Sequence, residues 1–204
     1  MGTPAVLGWI DTAVFTVLAA WYAVRAVVAG GWRHRVSSAL HLAMSAAMAA
    51  MPWTVLPAEP QVVLFSAGAL WFVWAALTEP AGGDPLLDGA HGGRVGALYH
   101  AGMMASMVWM AIAMTPASPA MDMAGHDHAA MHAMSMSAMT GGAPWATAVS
   151  GALGAGYALG AVWLLEVVVR QAVRDPVEPG RLLDAVAAAL MTLGMSYGFL
   201  ALMT

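Results

Sequence analysis

The chain has 204 residues, 61% of them hydrophobic and 9% charged, with a formal net charge of −4 and no cysteine. A soluble domain carries roughly 25% charged residues, so a soluble globular fold is excluded, and the missing cysteines exclude disulfides and thiolate metal sites. No basic excess marks a nucleic-acid surface, and no stretch matches a nucleotide-binding loop or a hydrolase triad.

Apolar runs of about 20 residues match the length that spans a bilayer. Six of them predict an all-α polytopic membrane protein, a single transmembrane domain over 1–204. The first run, near 5–29, contains Asp11 and the stretch LAAWYAVR around Trp21. No basic segment precedes it, so it reads as a retained span and not as a cleaved signal peptide. Asp11 is expected either to bind a cation or to cap a helix. After Gly30-Gly31 comes the second run, near 36–56, with SALHLAMSAAMAAM. The third, near 60–78, follows Pro57 to Pro60 and carries GALWFVW around Trp71. A Gly/Pro/Asp stretch at 79–93 leads to the fourth, near 95–115, with ALYHAGMMASMVWM. The fifth, near 145–169, carries GAVWLLE around Trp163, and Asp175 to Gly180 separates it from the sixth, near 181–203.

All seven basic residues are arginines: Arg25, Arg33, Arg35, Arg94, Arg170, Arg174 and Arg181. They fall only at the first, third and fifth connections. The positive-inside rule then puts those connections in the cytoplasm, with both termini and the 116–144 loop outside. Trp32, Trp53 and Trp145 read as interfacial anchors. Glu166–Arg170 and Arg181–Asp184 read as structural ion pairs.

The spans pair into three hairpins with a shared pattern. His41, Met44, Met48 and Met51 in the second span align with His100, Met103, Met107 and Met110 in the fourth. The sixth aligns as Ala188, Met191, Met195 and Gly198. Residues four apart share a helix face about 6 Å apart in height. Three such helices side by side would stack the methionines in two rings, Met44/Met103/Met191 and Met48/Met107/Met195. The inward spans echo one another at Trp21, Trp71 and Trp163. A pseudo-threefold arrangement of hairpins follows, with the site at the repeat interface, as in many transporters.

A thioether is a soft, neutral ligand suited to Cu(I). The 116–144 loop holds Met121, Met123, Met131, Met134, Met136 and Met139 together with His126, His128 and His132. Such a tract reads as an external metal-capture segment, against the alternative of an Ala/Met linker. A polar side chain within a span usually serves a purpose. His41 and His100 are expected either as further copper ligands or as hydrogen-bonding groups between helices.

The repeated M-x3-M on an outward helix, below a Met/His-rich segment, resembles the Ctr high-affinity copper transporters. The resemblance carries over Met44, Met48, Met103, Met107, Met191 and Met195, and implies a single-chain pseudo-trimer with stacked methionine triads that filter Cu(I). The family's small-residue packing motif is echoed by Gly156-x3-Gly160 and Gly194-x3-Gly198. The chain departs from that family in its span number per unit and in Ala188. It also looks similar to uncharacterised actinobacterial multi-pass membrane proteins, which implies a cell envelope and no particular activity. The expectation is a Cu(I) transporter and not an enzyme. Its partners would be copper ions, membrane lipid and an external copper chaperone or copper enzyme. Two other readings stand beside it: a copper chaperone, sensor or assembly protein without flux, and a redox protein clamping haem between the two histidines.

Overall fold

The computed structural model describes residues 3–54, 56–78, 93–114, 144–174 and 179–201. The regular elements among them are all helices: α1 Thr3–Val28, α2 Trp32–Ala50, α3 Ala58–Thr78, α4 Gly93–Ala113, α5 Pro144–Arg174 and α6 Pro179–Ala201. The protein is all-α, and among the described residues five helices are long and apolar enough to cross a membrane.

The exception is α2, whose 19 residues include Arg33, His34, Arg35, Ser37, Ser38, His41 and Ser45. Its position explains the composition. Ser37, Ser38, His41 and Ser45 are all buried, so neighbouring helices shield them from the bundle's surroundings. The outside of the bundle is the reverse: Val17, Leu70 and Leu159 are exposed by roughly 70%. Apolar residues outside and hydroxyl and imidazole groups inside is the distribution of a multi-pass membrane protein.

Local chemistry sets the helix ends. The second helix stops at Ala50, earlier than the apolar run to 56 implied, because Pro52 cannot continue an intrahelical hydrogen bond. It begins earlier, at Trp32, after Gly31 in extended backbone (φ −137°, ψ 147°). Pro144 and Pro179 open α5 and α6 at positions whose N–H would have no intrahelical partner. Gly93 enters α4 at φ 67°, a conformation that favours glycine. Gln61 Nε2 donates to the carbonyls of Leu56 and Pro57 at 3.3 and 3.2 Å, holding the entry to α3.

Consecutive helices form three hairpins, α1–α2, α3–α4 and α5–α6, and the hairpins close into a ring. Trp21 on α1 donates to Asp184 on α6 (3.1 Å), and Trp71 on α3 donates to Ser37 on α2 (3.2 Å). Tyr157 on α5 bonds Ser106 on α4 (2.7 Å), and Trp109 on α4 donates to Ser150 on α5 (3.1 Å). The first hairpin thus leans on the third, the second on the first, and the third on the second. The first two of these contacts occupy matching positions. Trp21, Trp71 and Trp163 align, and so do Ser37, Gly96 and Asp184. Gly96 offers no side chain, and Trp163 is left exposed. Burial repeats in the same register: Ser38/Ala97/Ala185, Met44/Met103/Met191, Ser45/Met104/Thr192 and Met48/Met107/Met195 are all buried. The bundle is an approximate threefold ring, with α2, α4 and α6 facing its centre.

At the arginine-bearing end, Asp184 pairs with Arg25 of α1 at 3.0 Å. The expected local partner, Arg181, has a side chain outside the described ones. Glu166 and Arg170 do pair, at 2.5 Å on the surface of α5. Asp11 lies in the third turn of α1, so it caps nothing. Of the small-residue motifs, Gly194 and Gly198 are close-contact positions and Gly156 is open. The Phe15 ring lies where a side chain at Gly194 would begin.

Candidate functional site

Six methionines of the two expected rings lie in one buried cluster at the ring's centre. Met44, Met48, Met103, Met107, Met191 and Met195 are each no more than 2% exposed. Met110 joins them fully buried, and Met51 packs against the cluster from its edge. The three helices meet through these side chains. A Cβ at Gly198 would lie 3.0 Å from the Met110 methyl and 3.4 Å from that of Met48, so methyl groups from α2 and α4 converge on α6.

His41 and His100 lie next to this cluster, one turn nearer the arginine-bearing end, with ring centroids 4.7 Å apart. Both rings are held by the same device. His41 Nδ1 is 2.7 Å from the Ser37 carbonyl, and His100 Nδ1 is 2.6 Å from the Gly96 carbonyl, each four residues back on its own helix. A carbonyl only accepts, so each Nδ1 carries the proton, and in the neutral ring the lone pair is on Nε2. A histidine that ligates a metal is commonly oriented in this way, with its other nitrogen donating to a backbone oxygen.

An aromatic frame surrounds the pair. Tyr22 stacks on His41 at 4.9 Å and Phe72 stacks on His100 at 5.3 Å, at matching positions of α1 and α3. Phe72 also meets His41 edge-on, and Tyr99 meets His100 edge-on. The third hairpin has Leu164 in place of the aromatic ring and Ala188 in place of the imidazole. Tyr99 bonds the Thr192 hydroxyl of α6, which lies 2.7 Å from the Ala188 carbonyl.

The donors form a graded stack. Along α4, His100, Met103, Met107 and Met110 climb about 15 Å in ten residues, roughly half of a bilayer's hydrocarbon core. The stack runs from the arginine-free end to mid-depth and is closed to water. Among the described residues no three His, Asp or Glu side chains converge, so thioether sulfur dominates what a metal would meet here. The two imidazoles contact each other edge to face, with ring centroids 4.7 Å apart. Met121, Met123, His126, His128, Met131, His132, Met134, Met136 and Met139 lie outside the described residues.

Two features escaped the sequence reading. One is the pair Tyr22 and Phe72, signalled by the doublets Trp21-Tyr22 and Trp71-Phe72, of which only the tryptophans were used. The other is Met104, fully buried but turned toward α3, its Sδ 3.2 Å from where a Cβ at Gly68 would lie. Its counterparts are Thr192 and Ser45. The Ser45 hydroxyl is buried with no hydrogen-bond partner among the described residues.

Residues 33–202 match the model of a domain of unknown function, DUF5134. The chain belongs to the DUF5134 family. It is 31% identical to an uncharacterized protein of Mycobacterium bovis over 212 aligned positions, covering 97% of this chain and 96% of the relative. Uncharacterized proteins from two strains of Mycobacterium tuberculosis match with the same identity and coverage. These relatives agree with the expected likeness to actinobacterial membrane proteins, and their names carry no copper or transport term. No solved structure matches.

Proposed function

We propose that this protein binds Cu(I) within the membrane and passes it along the methionine stack, taking it from the 121–139 tract. The observation that carries the reading is the convergence of six buried thioethers from α2, α4 and α6 beside two imidazoles of fixed tautomer. Soft, neutral donors favour Cu(I), with Ag(I) as a mimic, over sodium or magnesium. Successive layers a few ångströms apart let an ion exchange ligands stepwise. Methionine's three rotatable bonds let each thioether swing to receive it. In this reading Met51 and Met110 accept the ion, the two rings desolvate it, and His41 with His100 form the terminal pair. The arginines at the first, third and fifth connections make that end cytoplasmic. This is the chemistry expected from the Ctr-like spacing.

A second reading is favoured by the closed stack: a membrane-embedded copper holder that loads a partner and supports no flux. One experiment tests both. Purified protein in liposomes is supplied with Cu(I) under reducing conditions, and bound and internalised copper are measured. Wild type is expected to bind and to take up copper. Met48→Leu with Met107→Leu, a nearly volume-conserving change, is expected to lower both by roughly tenfold or more. Binding without uptake selects the second reading, and unchanged binding and uptake in the double variant refutes both.

A further inference from the structure

Asp11 plays no part in the stack, yet it is a carboxylate within an apolar helix. Ionisable groups at such positions are expensive and normally have a partner. Among the described residues Asp11 makes no hydrogen bond or ion pair. Its carboxylate borders a crevice of about 360 Å³ between α1 and α6, within the roughly 300–1,000 Å³ of small-molecule sites. Phe15 and Gly194 form the floor, and Val14, Leu190, Leu193 and Tyr197 form the walls. Leu193 is 56% exposed, so the crevice opens on the outside of the bundle, where the surface is apolar.

Three observations identify the occupant. Leu190 and Leu200 both line the crevice, and ten residues of helix rise about 15 Å, the depth of one leaflet of a ~30 Å core. Asp11 lies toward the arginine-free end of that length, because Phe15, one turn further in, is level with Gly194. Trp9 and Trp53, with ring centroids 4.4 Å apart and planes tilted by 51°, mark that end with the residues typical of a headgroup boundary. Finally, the carboxylate is peculiar to this seam. The matching positions are Gln61, which bonds the Leu56 and Pro57 carbonyls, and Leu153. All seven arginines are at the connections of the opposite end, so none of them neutralises Asp11, and a lipid ammonium at this headgroup boundary supplies the complementary charge.

We infer that the α1–α6 crevice holds one phospholipid of that leaflet whose headgroup ends in a primary ammonium. An acyl chain lies along Leu193 and Leu190, and the ammonium pairs with Asp11. The inference is independent of the copper reading.

The test uses the full chain in mild detergent with equimolar phosphatidylethanolamine and phosphatidylglycerol of identical acyl chains. Retained lipid is counted by native mass spectrometry. Wild type is expected to keep the ethanolamine lipid by roughly fivefold, about what one partly exposed ion pair supplies. Asp11→Asn should equalise the two lipids, and Leu193→Trp, which fills the crevice, should lower retention of both. Equal retention by wild type overturns the inference, as does a preference that survives Asp11→Asn. Because wild type alone can refute it, poor folding of a variant does not protect it.

Discussion

The first two hairpins and the third solve the same packing problem with different residues. Hairpins one and two each bring an imidazole to the centre, backed by a stacked ring, His41 with Tyr22 and His100 with Phe72. The third brings Ala188 backed by Leu164, and then Gly194 and Gly198 where the others have Ala47 and Ser106, Met51 and Met110. All three keep the methionines of both rings. All three hairpins thus contribute thioethers to the buried cluster, whereas only two contribute an imidazole beside it. The third hairpin supplies space: Phe15 rests on Gly194, and the Met110 and Met48 methyls reach Gly198.

That contrast breaks most sharply at Gly194. Gly194→Leu drives a side chain into the Phe15 ring and is expected to destabilise the protein by about 1–3 kcal/mol, read by thermal unfolding in detergent. The clash should be relieved in part by adding Phe15→Ala. The reverse exchange at the matching position of the first hairpin, Ala47→Gly, should cost about 1 kcal/mol in helix propensity, plus the loss of a small packing contact with the core cluster. Next in size, His41→Ala with His100→Ala should weaken Cu(I) binding by roughly tenfold or more, measured by competition with a chromophoric Cu(I) chelator. Full affinity in that variant would assign the imidazoles to packing alone. Giving the third hairpin what it lacks sharpens the comparison: Ala188→His should tighten Cu(I) retention and slow its release in the same assay. The smallest effect is expected at the seam between first and third hairpins. Arg25 is 45% exposed, so Arg25→Gln should cost about 0.2–1 kcal/mol, and a larger loss of thermal stability would show that the Asp184 pair holds the ring closed.

Much of this arrangement was legible in the sequence, for a physical reason. Met44 to Met48, Met103 to Met107 and Met191 to Met195 repeat at a four-residue spacing. A helix converts that spacing into one face, and equal depth in a bilayer converts three faces into layers. What the spacing could not show was which neighbour each face meets. The Arg25–Asp184 pair spans α1 and α6, a contact between residues far apart in the chain that local spacing does not signal. The end of α2 at Ala50 depended on Pro52, hidden inside an unbroken apolar run. Met104 was legible as a methionine, but not as one that turns from the centre to pack over Gly68. The low apolarity of α2 makes sense only once its hydroxyls are seen to face inward.

The hydrogen bonds from His41 and His100 to their own helix backbones have a consequence for the proton. An imidazole relays protons by taking one on one nitrogen and surrendering one from the other, then resetting by rotation or tautomer exchange. Rings pinned at Nδ1 to a carbonyl and wedged between Tyr22, Phe72 and Tyr99 have no freedom to reset. If the stack carries a soft cation as proposed, rings held in this way would not relay protons alongside it.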